Sequence, residues 1–221
     1  MELKELKKNI PENFYQVLER ANLQKLRPAQ EKAVKKGLLE GKNLLVCTPT
    51  ASGKTLIAEL AAVKSILEGK GKAIYIVPLK ALASEKYKDF KNRYGHLIKV
   101  ALSIGDLDSA DPYLDSYDLI ICTSEKLDSL IRHHTPWLGK IATVIVDEIH
   151  LLNDPSRGPT LEILITILRQ LKKDIQLIGL SATIGNPEEL AAWMNAHLVK
   201  DDWRPVKLHK GVYHEGEIEF I

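Results

Sequence analysis

The sequence is poor in cysteine and aromatic residues, contains no long apolar run, and carries no large excess of one charge sign. Its two cysteines, Cys47 and Cys122, lie inside apolar runs, so the spacings typical of a disulfide framework or a zinc site are missing. No apolar stretch approaches the ~20 residues that cross a bilayer, and Met1–Lys8 lacks the apolar core of a signal peptide. We therefore expect two buried thiols in a soluble cytoplasmic protein that has no membrane partner.

The charge balance also limits the classes of partner. Lys and Arg number 31 against 29 Asp and Glu, for a formal net charge of +2. This balance predicts little attraction of the whole chain to nucleic acid, although a local basic face would still attract it. Aromatic residues make up only 6% of the chain, so stacking platforms for bases are not evident.

Short apolar runs alternate with longer helical patterns, which indicates a parallel sheet with crossover helices. The runs are rich in Val, Ile and Leu at consecutive positions, as expected for strands covered on both faces. The predicted strands are Asn43–Cys47, Ala73–Val77, Val100–Ile104, Leu119–Cys122, Thr143–Val146 and Gln176–Leu180. The predicted helices are Pro11–Ala21, Ala29–Leu39, Lys54–Leu67, Ala81–Tyr94, Glu125–His133, Pro159–Leu171 and Pro187–Met194.

These patterns predict an α/β fold with a doubly wound, mostly parallel sheet and helices on both faces. We divide the chain into a helical segment at 1–41, the α/β domain at 42–203, and an exit segment at 204–221. Hydrophobic residues make up 45% of the 221 residues, enough for one large domain with a buried core.

The first predicted strand ends in a loop with the sequence Thr48-Pro49-Thr50-Ala51-Ser52-Gly53-Lys54-Thr55. Strand, loop and helix in this order form the context of a Walker A phosphate loop, although Thr48 stands where that motif has its first glycine. Backbone N–H groups at a helix N-terminus can surround phosphates, Lys54 can reach the β- and γ-phosphates, and Thr55 can ligate Mg²⁺. The loop therefore predicts ATP and Mg²⁺ as cofactors; the alternative is an ordinary strand-to-helix turn.

Acidic and hydroxyl side chains follow two later strands. Asp147 and Glu148 come directly after the strand ending at Val146, and the carboxyl ends of parallel strands face the ligand crevice in such folds. Asp147 can hold Mg²⁺, and Glu148 can orient or deprotonate an attacking water. Alone, such a pair is usually a solvated loop. Ser181 and Thr183 follow the strand Gln176–Leu180, where their hydroxyls could hydrogen-bond the acidic segment or report on the γ-phosphate. The alternative is that they form a turn or a helix N-cap.

The loop at 48–55, the acidic segment Asp147–His150 and the segment Ser181–Thr183 resemble motifs I, II and III of superfamily 2 helicases. The resemblance covers roughly Leu26–Val206. Within the superfamily the chain is most similar to Ski-type DExH enzymes, particularly the archaeal Hjm-type DNA helicases. That closer similarity lies in the strings Leu26–Gln30, Pro78–Leu82, Asp147–Leu152 and Ile184–Leu190.

The resemblance implies a RecA-like ATP-binding lobe, in which Gln30 would read the adenine edge. The alternative for Gln30 is an exposed side chain on a helix, and no side chain stands out as a stacking partner for adenine. The resemblance also implies that His150, Ser181 and Thr183 couple hydrolysis to movement. A lone histidine after a strand is otherwise more often structural.

Further loops resemble the segments that hold one nucleic-acid strand by its phosphodiester backbone in the family. Backbone contacts position a strand without reading its bases, which suits a sequence-independent motor. The alternative is a set of capping residues and solvated lysines. The candidates are Pro78, Lys80, Ala81, Gly105, Asp106, Thr123, Ser124 and Lys126.

Family members close ATP between two RecA-like lobes, and the second lobe supplies an arginine finger. No stretch after Arg204 is long enough to fold into that lobe, so we expect a first lobe that is nearly inactive alone. Its expected partners are the second lobe and single-stranded or forked DNA near the nucleoid, with RNA as the alternative. A nucleotide-switched binding module is a further alternative, although it would have no need of Glu148.

Overall fold

Seven strands form the central sheet in the computed structural model, which describes residues 1–105, 110–171, 174–206, 209 and 211–220. The strands are β1 (Leu44–Cys47), β2 (Lys72–Val77), β3 (Val100–Ser103), β4 (Leu119–Thr123), β5 (Ile141–Val146), β6 (Gln176–Ser181) and β7 (His197–Lys200). Their order across the sheet is β3-β4-β2-β5-β6-β1-β7, and every neighbouring pair is parallel. The predicted doubly wound α/β fold is confirmed.

Helices cover both faces of this sheet. They are α1 (Glu12–Arg20), α2 (Pro28–Lys35), α3 (Lys54–Leu67), α4 (Lys80–Tyr94), α5 (Ser124–Arg132), α6 (Gly158–Leu171) and α7 (Pro187–Trp193). Short 3-10 helices span Leu3–Leu6, Pro112–Ser116, Pro136–Lys140 and Ile149–Asn153. Among the described residues, no helix combines the length and apolar composition needed to cross a bilayer.

The core consists of two apolar clusters, one on each face of the sheet, because successive strand residues point in opposite directions. Leu44 and Val46 of β1 belong to the cluster shared with α1 to α4. Leu45 and Cys47 of the same strand belong to the cluster shared with α5 to α7. Cys47 and Cys122 are buried free thiols, as predicted. Strands buried on both faces explain the continuous apolar runs in the sequence.

The edge strand β7 is absent from the sequence-based prediction. It pairs in parallel with β1, and Val199 is its one fully buried residue, so it produces no apolar run. The second helix also ends earlier than expected, at Lys35 instead of Leu39. Gly37 adopts a φ of +94°, and the Leu38 N–H returns to the Ala33 carbonyl at 3.1 Å, which ends the helix.

The last described residues form an antiparallel hairpin of β8 (Gly211–His214) and β9 (Glu217–Phe220). Its side chains are exposed, including the large apolar residues Val212, Tyr213, Ile218 and Phe220.

A buried charge joins helix α3 to helix α4. The side chain of Glu59 in α3 is 3% exposed, and its two carboxylate oxygens each accept a hydrogen bond from Arg93 Nη1 at 2.7 Å. Tyr94 Oη donates to the same carboxylate at 2.8 Å. Burial raises the pKa of the Glu59 carboxyl, and the nearby Arg93 guanidinium opposes this rise. The end of α4 is thus fixed against the middle of α3.

Replacing Arg93 with methionine would leave the Glu59 carboxylate without its cationic partner. We expect the free energy of unfolding to fall by about 3 kcal/mol at neutral pH, because an uncompensated charge stays buried. The pKa of Glu59 would rise further, and a raised carboxyl pKa removes stability as the pH increases through it. The deficit should therefore shrink near pH 4, as measured by urea unfolding at both pH values.

The double variant Glu59→Gln, Arg93→Met is the control, because it removes the charge together with its partner. It should recover most of the stability that Arg93→Met loses at neutral pH. A single variant as stable as the parent, or a deficit independent of pH, would contradict this account of α3 and α4.

Candidate functional site

The loop between β1 and α3 lies at the carboxyl edge of the sheet. Thr48 continues the direction of β1, its N–H donates to the Ser181 carbonyl at 3.2 Å, and its hydroxyl lies 2.7 Å from that of Ser52. Positive φ angles occur at Ala51 (64°) and Gly53 (92°), but not at Thr48. Thr48 thus needs no glycine conformation, which explains why the motif's first glycine is dispensable here.

Gly53 is required because of its positive φ and because no side chain would fit there. A Cβ atom at this position would lie 2.5 Å from Nε2 of Gln30 and 3.1 Å from Cδ of Arg27. The glycine therefore permits the second helix and the loop to approach each other closely. Of the other loop residues, Pro49 is buried and Thr50 is exposed.

Lys54 is the first residue of α3, and its ammonium lies under the loop. Nζ donates to the carbonyl of Thr48 and to that of Ser181, each at 3.0 Å. Burial lowers the pKa of Lys54, and the nearby carboxylates of Glu148 and Asp147 oppose this shift. The cation is thus in electrostatic contact with the two acidic residues that the sequence predicted to share its site.

Asp147 and Glu148 follow β5 directly. The Asp147 N–H donates to the Ile76 carbonyl at 2.9 Å, and Asp147 Oδ1 accepts from the Glu148 N–H at 3.0 Å. Glu148 has a φ of +51°, so the chain turns sharply and begins a 3-10 helix at Ile149. His150 Nδ1 lies 3.3 Å from Glu148 Oε2. The histidine is thus a neighbour of the acidic pair.

Tyr75 contacts this site, and sequence reasoning missed it. Tyr75 Oη donates to Asp147 Oδ2 at 2.9 Å from the adjacent strand β2. Burial, followed by the Asp147 charge, raises the pKa of Tyr75 well above its ordinary value, so the phenol stays a hydrogen-bond donor. The available signal was a tyrosine inside the otherwise aliphatic run Ala73–Val77.

Ser181 is the last residue of β6, next to β1 in the sheet. Its hydroxyl is buried and has no oxygen or nitrogen hydrogen-bond partner among the described residues. Thr183 lies two positions further and is exposed. Helix α7 begins only at Pro187, with Asn186 in the N-cap position, so neither hydroxyl is the N-cap of that helix.

Gln30 is 3% exposed, so the alternative of an exposed glutamine on a helix is wrong. Its Oε1 accepts from the Arg27 N–H at 2.8 Å, and its Nε2 donates to the Gly53 carbonyl at 2.9 Å. Arg27 Nη1 donates to the Ala51 carbonyl at 2.7 Å, and its guanidinium lies 5.5 Å from the ring centroid of Trp203. The start of α2 is thereby tied to the phosphate-loop candidate.

A cleft of about 370 Å³ opens beside this contact. Its lining includes Gln30, Gly53 and Thr55, and Leu23 and Leu56 supply apolar surface. The cleft thus combines an amide, a hydroxyl and apolar walls next to the loop.

The loops predicted to bind nucleic acid follow β2, β3 and β4, which are neighbours on the other half of the same edge. Lys80 begins α4 and is exposed, like Ala81 beside it, while Pro78 is half-buried. Gly105 is also exposed, whereas Asp106 lies outside the described residues.

The segment after β4 differs from the prediction. Thr123 Oγ1 accepts from the Lys126 N–H at 3.4 Å and caps α5, and Ser124 is buried. The side chain of Lys126 is 1% exposed, and its ammonium lies 3.0 Å from Asp111 Oδ2. The prediction that Lys126 contacts phosphate at the surface therefore does not hold, since its ammonium is buried and paired. The alternative interpretation, that these are helix-capping residues, is correct for Thr123, which caps α5.

Comparison with known proteins agrees with this arrangement. The DEAD/DEAH box helicase family model matches residues 27–190. The ATP-dependent DNA helicase Hel308 of Pyrococcus abyssi is 53% identical over 208 residues, covering 94% of this chain and 29% of that protein. Hel308 of Methanocaldococcus jannaschii is 54% identical over 217 residues, covering 95% and 18%. The chain thus spans less than a third of the length of these curated relatives.

Solved structures give the same picture. The crystal structure of the DUF1998 helicase MrfA bound to DNA matches with a TM-score of 0.75 and 28% identity, covering 88% of this chain and 30% of that chain. A second crystal structure of MrfA matches with a TM-score of 0.72 and 28% identity, covering 87% and 33%.

Tyr75→Phe tests whether the phenol holds the Asp147 carboxylate. The ring would keep its edge contact with Phe90, at 5.7 Å between centroids, while the hydrogen bond is lost. We expect the free energy of unfolding to fall by about 1–2 kcal/mol, because a half-buried charged acceptor loses a donor. The exposed Tyr113 gives the control variant Tyr113→Phe, which should match the parent in urea unfolding. Equal stability of all three proteins would show that the bond contributes nothing.

Proposed function

The chain belongs to the DEAD/DEAH box helicase family, and from this membership we propose that it is the nucleotide-binding lobe of an ATP-dependent DNA helicase. The observation that carries the proposal is the meeting of Lys54, Asp147 and Glu148 at the carboxyl edge of one parallel sheet. Lys54 follows β1, and Asp147 and Glu148 follow β5, so the sheet brings together a cation, a metal-binding carboxylate and a candidate base, the groups that phosphoryl transfer uses. We assign residues 42–203 to this lobe, with 1–41 as its helical segment and 204–221 as its exit.

The residues present fit a magnesium nucleotide. The N-terminus of α3 presents backbone N–H groups beside the Lys54 ammonium, which suits a phosphate chain. Oxygen ligands suit Mg²⁺, and the Thr55 hydroxyl and Asp147 carboxylate are of this kind. Among the described residues no group of three or more His, Cys, Asp or Glu could hold a metal by itself. The ion would therefore be held together with phosphate oxygens, as is usual for Mg²⁺.

Bound Mg²⁺-ATP supplies the phosphoanhydride bond and a metal that neutralises developing charge. Lys54 binds phosphate oxygens in place of the two carbonyl oxygens it now contacts. Glu148 orients the attacking water and accepts its proton. His150 lies beside Glu148 and Ser181 beside Lys54, so both are suited to report on the nucleotide. We extend the coupling role to Thr183 by its place after β6.

Gln30 is proposed to recognise adenine. Its amide offers one donor and one acceptor, as the N6 and N7 edge of adenine requires. Both groups are bonded within the protein, so binding of the base would exchange at least one of these contacts. The part of the cleft beside Gln30 and Leu23 is the proposed place for the base.

For nucleic acid, we propose that one strand of single-stranded or forked DNA lies along the loops after β2, β3 and β4. Lys80 supplies an exposed cation, and the N-termini of α4 and α5 offer backbone N–H groups. Such contacts to phosphates read no sequence. The printed names of the relatives favour DNA over RNA, and the loops do not distinguish the two.

The whole protein's activity is proposed to need a second RecA-like lobe that supplies an arginine to the γ-phosphate. The curated relatives are more than three times as long as the part that this chain matches, which leaves room in them for such a lobe. An arginine of this kind contributes roughly 10³–10⁵ in rate in related systems. The 221-residue chain should therefore bind nucleotide while hydrolysing it at a near-background rate.

Titration of the chain with a fluorescent ATP analogue in Mg²⁺ tests the proposal. Lys54→Ala should weaken binding roughly 10- to 100-fold, because charge-assisted bonds to phosphate are lost. Glu148→Gln is the matched control at the same site: it should keep near-parent affinity, since Glu148 acts on water and not on the nucleotide. Binding that is unaffected by Lys54→Ala in a folded protein would refute the proposed site.

A further inference from the structure

Lys86 of helix α4 reaches into the candidate nucleotide site. Its Nζ donates a hydrogen bond to Thr55 Oγ1 at 3.2 Å, and its side chain is half-buried. Thr55 belongs to the first turn of α3, so this bond joins α4 to the helix that precedes it in the chain, with strand β2 between them in the sequence. No motif assigned from the sequence includes Lys86.

The position of Lys86 is set by the packing of its helix. Four residues further along α4, Phe90 is buried in the core, and beyond it Arg93 and Tyr94 bind the buried Glu59 of α3. Lys86 lines the same cleft as Glu59. Burial raises the pKa of the Glu59 carboxyl, and the positive charge of Lys86, like that of Arg93, opposes this rise. The ammonium therefore lies beside Thr55 on a helix whose C-terminal end is bonded to α3 through Glu59.

The bond uses the oxygen that is proposed to ligate Mg²⁺. A hydroxyl oxygen has two lone pairs and could in principle accept both partners. However, Mg²⁺ lies ~2.1 Å from its oxygen ligands, so only the Thr55 oxygen would separate the ion from the Lys86 ammonium. Two cations at such a separation repel each other strongly in a partly desolvated site. Lys86 and Mg²⁺ thus compete for one ligand.

We propose that Lys86 is a positioning residue that holds the Thr55 hydroxyl until Mg²⁺ binds and displaces the ammonium from it. The inference rests on the proposed function and adds a regulation of its metal site. Because α4 begins at Lys80, in a loop proposed to hold nucleic acid, release of Lys86 removes a restraint between that helix and the nucleotide site. Metal binding is thereby linked to the loops that are proposed to hold nucleic acid.

The test is a Mg²⁺ titration of the 221-residue chain at a fixed concentration of a fluorescent ADP analogue, which gives a midpoint for the metal-dependent signal. Lys86→Met keeps the length of the side chain but removes its charge and donors. It should lower the Mg²⁺ midpoint at least ~3-fold, since the competing cation is gone. Lys88→Met removes the same charge from an exposed position on the same helix and should leave the midpoint unchanged. Lys86→Arg, which keeps the charge, should stay near the parent value.

The outcomes separate this inference from the proposed function. A midpoint in Lys86→Met that is unchanged or higher, while the parent shows a clear Mg²⁺ dependence, overturns the role of Lys86 and leaves the nucleotide site intact. An equal fall in Lys88→Met also overturns it, because the effect would then be one of general charge. A parent chain without any Mg²⁺-dependent nucleotide signal would overturn the proposed function itself, together with this inference.

Discussion

The Lys54 ammonium connects the elements on which the site depends. It donates to carbonyls at the ends of two neighbouring strands, β1 and β6, and it lies in the field of the acidic pair after β5. The sheet order β5-β6-β1 favours this meeting, because parallel strands place their carboxyl ends on one edge. The Lys54 side chain is half-buried, and its ammonium bonds two backbone carbonyls. An anionic ligand such as a phosphate can replace these carbonyls, because charge-assisted hydrogen bonds are stronger.

The surroundings of this site are built from polar groups that the apolar core encloses. Tyr75 of β2 donates to Asp147, and Glu59 of α3 binds Arg93 and Tyr94 of α4. Buried polar groups are costly unless each finds its partner, so these contacts restrict how β2, α3 and α4 can move. Lys86 adds a bond from α4 to Thr55 inside the same framework. The geometry of the proposed metal ligands thus depends on side chains outside the recognised motifs.

Much of this architecture follows from local sequence patterns. Helix α3 spans Lys54–Leu67 as predicted, because the loop before it and the apolar helix pattern both indicate its start. All six predicted strands are present with boundary shifts of one or two residues, since strands buried on both faces give clear apolar runs. Edge strand β7 was missed because only Val199 of its four residues is fully buried.

Contacts between distant residues were not predictable in the same way. A lysine after β4 predicted a phosphate contact, yet Lys126 is buried against Asp111, and no local pattern distinguishes these outcomes. Tyr75 and Lys86 reach the site from β2 and α4 through tertiary packing, so their spacing along the chain indicates nothing. Gln30 was assigned by resemblance alone, and its bond to the Gly53 carbonyl depends on the approach of α2 to the loop.

Hydrogen–deuterium exchange of the chain with and without Mg²⁺-ADP tests the central claim most directly, because it locates the ligand on the protein. We expect slower exchange of the backbone amides at 50–56, in the loop and first turn of α3, and at 147–149, in the acidic segment, and no change in the hairpin at 211–220. Binding accompanied by protection elsewhere, with the loop before α3 exchanging as in the free chain, would contradict a nucleotide site at this edge of the sheet.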